Sequence, residues 1–110
     1  MLLKRARIEA YLPGNNSRIY QRLREAIEAE FLYTFGGCTV IKKIKGLYLR
    51  AGSKPESDSI ALVYADMPVG MDLNSKEIAE YADAIREAAE EALPEESVLI
   101  VVSEVYHSLS

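Results

Sequence analysis

The stretch that decides the fold is CTVIKKIKGLYLRAGSKPESDSIALVYADM, residues 38–67, because it holds two strand-like segments with no helix between them. Residues 38–50 are rich in branched and aromatic side chains, and residues 59–67 are apolar on both faces. The polar residues 51–58 between them predict a turn. A strand that is apolar on both faces is typical of the centre of a sheet, so we place residues 59–67 there.

The first of these two segments changes the parity of its apolar positions halfway along. A β-bulge near Lys42–Lys43, or one at Gly46, would produce that change, because a bulge adds one residue to one strand of a pair. With Lys45, these lysines place three positive charges within four residues. Such lysines are typical of an edge strand that is protected from unwanted pairing, so we predict an edge position for residues 38–50.

Amphipathic helices flank the two segments on either side. Before them, Asn16 or Ser17 can cap a helix that runs to about Phe35 and ends at Gly36 or Gly37. After them, a capping-box pattern at residues 74–77 starts a second helix, which the proline at position 94 stops. The apolar positions at helical spacing are Ile19, Leu23, Ala26, Ile27 and Phe31 in the first helix and Ile78, Tyr81, Ala82, Ile85, Ala88, Ala89 and Ala92 in the second.

A strand lies outside each helix. Residues 5–12 alternate strictly, which predicts a strand with one buried face, and residues 97–107 form the last strand. On the first strand the apolar face consists of Ala6, Ile8, Ala10 and Leu12, and the polar face consists of Arg5, Arg7, Glu9 and Tyr11. The order of elements is therefore β-α-β-β-α-β.

This order predicts a ferredoxin-like α+β sandwich that occupies residues 1–110 as a single domain. We expect an antiparallel sheet of strand order 4-1-3-2 with both helices on one face. The right-handed crossover rule places strands 1 and 3 side by side, and we expect those two strands to be parallel. The polar face of strand 1 then lies on the open side of the sheet, away from the helices.

The open side of the sheet is predicted to be a contact surface. Strands 3 and 4 are apolar on both sides, so strand 3 must place there either Ile60, Leu62 and Tyr64 or Ala61, Val63 and Ala65. Exposed apolar patches of this kind usually mark contact surfaces. We therefore expect a homo-oligomer, most simply a dimer, that associates through the open face or through an edge strand.

Composition and charge narrow the class of protein. Residues 1–50 carry ten basic and four acidic side chains, a net of +6, whereas residues 51–110 carry three and thirteen, a net of −10. The acidic total of −4 disfavours nucleic acid as a partner.

No apolar run approaches the roughly 20 residues that cross a membrane. The single cysteine cannot form an internal disulfide, and the charged N-terminus does not resemble a signal peptide. We expect a soluble, cytoplasmic, bacterial protein.

Three patterns suggest chemistry, and each has a plainer interpretation. The paired glycines follow a helix instead of opening one, so they predict a helix end and not a phosphate loop. Cys38 would need His107 as a base, and we expect the two at opposite edges and opposite ends of the sheet. Cys38 is therefore predicted to be a core residue and His107 a solvated one. Asp66 and Asp72 are interpreted as ordinary loop acids.

Four of the seven tyrosines lie on predicted strands, at positions 11, 48, 64 and 106. An enzyme of the dimeric ferredoxin-like type would place a small-molecule pocket between the sheet and the helices, lined by some of these tyrosines. The candidate ligand-binding residues are Arg7, Tyr11, Tyr64, Tyr106 and His107. An RNA-binding domain is a further alternative, although its basic-glycine-aromatic pattern belongs on strand 3 and here Lys45–Leu49 lies on strand 2. The sequence predicts no metal ligand set and no cofactor, and it assigns no catalytic residue.

Three short segments, GGCTV at 36–40, GLY at 46–48 and DSIALVYAD at 58–66, carry a family resemblance. The stretch that contains them, residues 35–66, resembles a family of small, uncharacterised bacterial ferredoxin-like domains. The resemblance implies the fold and an oligomer, and it carries over no catalytic residue. Our leading hypothesis is a small binding or assembly module that self-associates, and whether the protein is an enzyme stays open.

Overall fold

The computed structural model of the chain describes residues 1–48, 54, 56–69, 71–96 and 98–109. Its elements follow the predicted order: β1 (Leu2–Pro13), α1 (Arg18–Phe35), β2 (Thr39–Tyr48), β3 (Glu56–Asp66), α2 (Ser75–Ala92) and β4 (Leu99–Ser108). The strands form one sheet of order β2-β3-β1-β4, which is the predicted order counted from the other edge. The ferredoxin-like α+β fold is confirmed. Of the predicted elements, residues 49–53, 55, 70 and 97 lie outside the described residues.

Two details of the strands differ from the prediction. β1 and β3 are antiparallel, with Arg7 opposite Asp66, so the parallel arrangement was wrong. The physical reason is that α1 returns the chain so that β2 runs in the same direction as β1, with a gap of one strand between them. The chain then reverses, so β3 fills that gap antiparallel to both neighbours. In addition, β3 begins at Glu56, so residues 56–58 extend the strand and pair with residues 46–48 instead of belonging to the turn.

A β-bulge interrupts β2, which is an edge strand as predicted. The register passes from Ile41 opposite Leu62 to Ile44 opposite Ile60, so that two residues of β2 face one residue of β3. The bulge at Lys42–Lys43 is therefore confirmed, and the second of these lysines has a φ of 61°, in the left-handed region. The extra residue restores the parity of the apolar positions, which explains the irregular alternation in the sequence.

The core lies between the helices and one face of the sheet. Alternation along β1 buries Ile8 and Ala10 completely, and α1 adds Phe31, which is also 0% exposed. Burying one large apolar side chain stabilises the fold by about 1.5–3 kcal/mol, so these positions dominate stability. The buried cluster consists of Ile8, Ala10, Leu12, Ile27, Phe31, Phe35, Val63, Ala65, Met67, Ala89 and Val98.

The helix ends show why the helices begin and stop where they do. Gly36 ends α1 in the left-handed conformation, with a φ of 84°, and its N–H donates to the Leu32 carbonyl at 2.9 Å. The Asn74 side chain accepts from the Glu77 N–H at 2.9 Å and completes the predicted capping box of α2. Ser17 occupies the N-cap position of α1 without a side-chain cap bond. Neither helix has the length and apolarity that a membrane crossing requires.

Candidate functional site

Polar side chains from three strands meet at one end of the open face. Arg7 on β1 lies opposite Asp66 on β3, and Tyr64 lies two residues before that aspartate. Because successive side chains of a strand point to opposite faces, the burial of Ile8 against the helices places Arg7 on the open side. His107 reaches the same group from β4. We name Arg7, Tyr64, Asp66 and His107 the open-face cluster.

An ion pair joins Arg7 to Asp66 through two parallel hydrogen bonds. Arg7 donates from Nε to Oδ1 at 2.6 Å and from Nη2 to Oδ2 at 2.9 Å, and the side chains are only 29% and 19% exposed. The bond from Arg7 lowers the pKa of Asp66, burial opposes that shift, and His107 reinforces it. The same bond raises the pKa of Arg7. Both groups are therefore charged at neutral pH, in the bidentate geometry that makes such pairs strong.

His107 is the second partner of the same carboxylate. Its Nε2 lies 2.8 Å from Asp66 Oδ2, and its side chain is 37% exposed. An ionised carboxylate can only accept hydrogen bonds, so Nε2 carries a proton and donates a hydrogen bond to Asp66. The predictions of a solvated histidine and of a loop aspartate were both wrong. β4 runs antiparallel to β1, which brings position 107 to the end of the sheet where β3 finishes.

Aromatic and carboxylate partners complete this part of the face. The guanidinium carbon of Arg7 lies 4.4 Å from the centroid of the Tyr64 ring, which is a cation–π contact. Further along β1, the Tyr11 hydroxyl donates to Glu9 at 2.9 Å, and this bond raises the pKa of Tyr11. Ser103 on β4 approaches the same glutamate at 3.5 Å. The charges at the middle of the open face are thus paired with groups of the same face.

The predicted ligand-binding residues separate into three groups. Arg7, Tyr64 and His107 meet in the open-face cluster, whereas Tyr11 lies further along the same face. Tyr106 pairs with a lysine of β1 and neighbours His107 along β4, so it points to the helix side of the sheet, where it is 62% exposed. The structure therefore does not place Tyr106 with the others.

The open face also carries several apolar side chains around Tyr11. β3 buries Ala61, Val63 and Ala65 on the helix side, so its other parity lies on the open side. Leu99 of β4, which pairs with Tyr11, is 58% exposed there. We name as the open-face apolar patch the residues Ile41, Ile60, Leu62, Leu99 and Val101. Polar and apolar groups thus share this surface, with Tyr11 between Leu62 and Leu99.

Among the clefts of the described surface are four with volumes of 420 to 530 Å³. Tyr11 lines one of them, and Tyr64 lines another together with Asp66. Neither Arg7 nor His107 lines any of the four, so none is the cavity that the enzyme alternative predicts. Within the described ranges, no three His, Cys, Asp or Glu side chains are grouped in a way that could hold a metal ion.

Cys38 lies at the edge of the core and forms no pair with His107. Its thiol contacts the Glu28 carbonyl at 3.7 Å, and burial, with a smaller effect of the Glu28 carboxylate, raises the pKa of Cys38. A raised pKa opposes a nucleophilic role. Cys38 directly precedes the edge strand β2 and His107 lies on the opposite edge strand, as predicted, but the prediction of opposite ends was wrong. Cys38 lines a cleft with Asp66, the residue that His107 contacts.

Known proteins share this fold at low sequence identity. A phage SAM lyase in complex with S-methyl-5'-thioadenosine superposes with a TM-score of 0.63 and 12% identity, over 96% of this chain and 89% of the lyase chain. CutA1 from Oryza sativa gives 0.57 and 15%, over 94% and 84%. The nitrogen regulatory PII-like protein CPII from Thiomonas intermedia K12, bound to ADP, AMP and bicarbonate, gives 0.55 and 13%, over 100% and 99%. No family model and no curated protein matches the sequence. These likenesses support the fold alone.

Proposed function

We propose that this chain is a small binding and assembly module whose copies associate through the open face of the sheet. The observation that carries the proposal is the pairing of charges on a face that the described elements leave uncovered. Leu99 is 58% exposed beside the half-buried polar network. Exposed apolar groups next to a pre-ordered polar group are typical of a contact surface.

The pairing matters because burial of an unpaired charge is costly. A second copy that covers the face would remove water from Arg7, Glu9 and Asp66. Each already has a partner within its own chain, so the second copy need not supply one. The loss of hydration then costs less than it would for isolated charges, because Arg7 and Asp66 neutralise each other within one chain.

The size of the face suits an interface between two proteins. Four strands at a spacing of ~4.8 Å are about 19 Å wide, and strands of about ten residues are about 33 Å long. Their product is roughly 600 Å² before the relief of the side chains is counted, close to the roughly 800 Å² that one partner contributes to a stable interface. A second copy therefore has enough area to bind.

A small-molecule ligand at the margin of this face is a second candidate. Tyr64 and Asp66, which both contact Arg7, line the cleft of 420 Å³. Cleft volumes of about 300–1,000 Å³ accommodate small ligands. The SAM lyase and CPII structures contain an adenine-based ligand, which makes adenosine and AMP natural first compounds to test. Native mass spectrometry of the purified protein would report both the number of subunits and any ligand that co-purifies.

Sedimentation velocity of matched variants tests the assembly. Arg7→Ala and Tyr64→Ala remove the centre of the open-face cluster, and Lys54→Ala removes an exposed charge outside it. We expect the first two to shift the population toward monomer and the third to sediment like the natural chain. A natural chain that is monomeric at all concentrations, or three variants that sediment identically, would refute the proposal.

A further inference from the structure

A separate cleft of 500 Å³ lies on the helix side of the sheet, between the first half of α1 and the bulge of β2. Ala61, which belongs to the helix-facing parity of β3, forms part of its floor. The cleft is therefore remote from the open-face cluster. Its charged lining residues are Arg24, Glu25, Glu28, Lys42 and Lys43.

Arg24 is the unusual group in this cleft. It is only 8% exposed, and its Nη1 donates to the carbonyl oxygens of Pro13 at 3.1 Å and Asn15 at 2.8 Å. Within the described part of the chain, the guanidinium forms no ion pair with a carboxylate. Neutral carbonyls orient the group without neutralising its charge. Buried charges in proteins are normally paired, so this charge lacks the counter-ion that its burial calls for.

The remaining donors of Arg24 point to where that counter-ion would sit. Nε and Nη2 make no hydrogen bond to a described residue, yet no described side chain has a fully buried nitrogen or oxygen without a partner. These two nitrogens must therefore touch solvent, and the cleft is the space that Arg24 lines. A guanidinium offers two such donors as a planar fork that fits an oxyanion.

The bulge of β2 supplies two more positive charges. Lys42 and Lys43 both line the cleft, because the extra residue and the left-handed φ of 61° at Lys43 bring consecutive side chains to it. A regular strand would place such neighbours on opposite faces. Glu25 and Glu28 oppose an anion from the α1 side, which leaves three positive and two negative groups around the space. The excess is positive, and the positive groups come from two different elements.

We propose that this cleft binds the phosphoryl group of a small phosphomonoester, with Arg24 as the buried donor and the two lysines as the outer ones. A phosphoryl group carries close to two negative charges and three acceptor oxygens. It can therefore bind one guanidinium and two ammonium groups at once, whereas a carboxylate has one charge and two oxygens. The volume of 500 Å³ exceeds the size of free phosphate, so space remains for an organic substituent.

Calorimetric titration at constant ionic strength tests this assignment, with inorganic phosphate and phenyl phosphate as separate probes and sodium chloride as the control. We expect saturable binding of both, with phenyl phosphate the tighter. The double variant Lys42→Gln/Lys43→Gln should weaken binding about tenfold, because it removes two attractive charges that are exposed to solvent and so interact modestly. The matched control is Lys45→Gln on the same strand, which does not line the cleft and should bind like the natural chain.

A second variant should change the phosphate affinity in the opposite direction. Glu25→Gln removes a repelling carboxylate and should raise the affinity about threefold, since nearby charges in a partly exposed site interact modestly. The side-chain Nε–H resonance of Arg24 should shift on addition of phosphate. Absence of saturable binding, equal affinity of the double variant and the Lys45 control, or an unmoved Arg24 resonance would overturn the proposal. Sedimentation of the same variants reports self-association through the open face independently of phosphate binding. A failure of the phosphate proposal can therefore be distinguished from a failure of the assembly proposal.

Discussion

The two faces of β1 perform different tasks with alternate residues of one strand. On the helix side, Ile8 and Ala10 are 0% exposed and hold the core together. On the open side, Arg7 and Glu9 are partly exposed and bind polar groups of neighbouring strands. On the helix side, the residue type is restricted by the side-chain volume that the core can hold. On the open side, it is restricted by the hydrogen bonds that the side chain forms. Substitutions on the two faces should therefore fail in different ways, one in stability and the other in recognition.

The largest effect on stability is expected on the helix side. Ile8→Ala should lower the free energy of unfolding by about 2–5 kcal/mol, because it leaves a cavity in a site without exposed atoms. Chemical denaturation measures this loss. The variant, where folded, should still associate like the natural chain, and a loss below about 1 kcal/mol would contradict the assignment of this face as the core.

The next effect tests the ion pair on the open side. Arg7→Ala leaves the carboxylate of Asp66 without its main partner, and an unsatisfied, partly buried group of this kind costs about 1–3 kcal/mol. Arg5→Ala, at the margin of the same face, should change stability by no more than about 0.5 kcal/mol. Denaturant titration of both variants tests the difference, which vanishes if the Arg7–Asp66 pair contributes nothing.

Acid should reduce the stability that the Arg7–Asp66 ion pair on the open side contributes. Pairing with Arg7 lowers the pKa of Asp66 relative to the unfolded chain. The carboxylate therefore contributes stability that is fully present above the unfolded pKa and is lost as the pH falls through the lower folded pKa. Urea titrations at a series of acidic pH values should show a steeper loss for the natural chain than for Asp66→Asn. Parallel pH profiles of the two proteins would argue against a stabilising role for this carboxylate.

The substitutions with the smallest expected effect on stability are at exposed positions of β4, and one of them should clearly weaken assembly. Leu99 and Val102 are exposed residues of β4, at 58% and 40%, and they lie on the open and the helix side respectively. Leu99→Ser and Val102→Ser should each change the free energy of unfolding by less than about 1 kcal/mol. Only Leu99→Ser should weaken self-association in sedimentation. Equal weakening by both would remove the distinction between the faces.

The sequence predicted the architecture well, because each local pattern agreed with the fold. Alternation in residues 5–12 predicted the buried face of β1, and the pattern at 74–77 predicted the cap of α2. The change of parity near Lys42–Lys43 predicted the bulge. The extent of β3 was missed because Glu56, Ser57 and Asp58 are polar residues that composition alone assigns to a turn.

The candidate site was predicted only in part, for a different reason. Arg7, Tyr64 and His107 were selected as separate polar or aromatic positions, and nothing local in the sequence joins them. Asp66, the residue that connects two of them, resembled an ordinary acid at the end of a strand. Its partners lie 59 and 41 positions away along the chain. Arg7, Asp66 and His107 come together only because β1 pairs antiparallel with both β3 and β4. The sequence analysis predicted a parallel pairing of β1 with β3, so it did not predict this contact.

The bulge in β2 has a consequence for growth of the sheet beyond one molecule. An added strand needs a regular row of N–H and C=O groups, and the two lysines interrupt that row on the β2 edge. On the β4 edge, residues 99–108 present a continuous row. Two copies could therefore join β4 to β4, but each end of the joined sheet would then be a bulged, charged strand. Extension by strand pairing would stop at two molecules, which protects this protein from forming fibres.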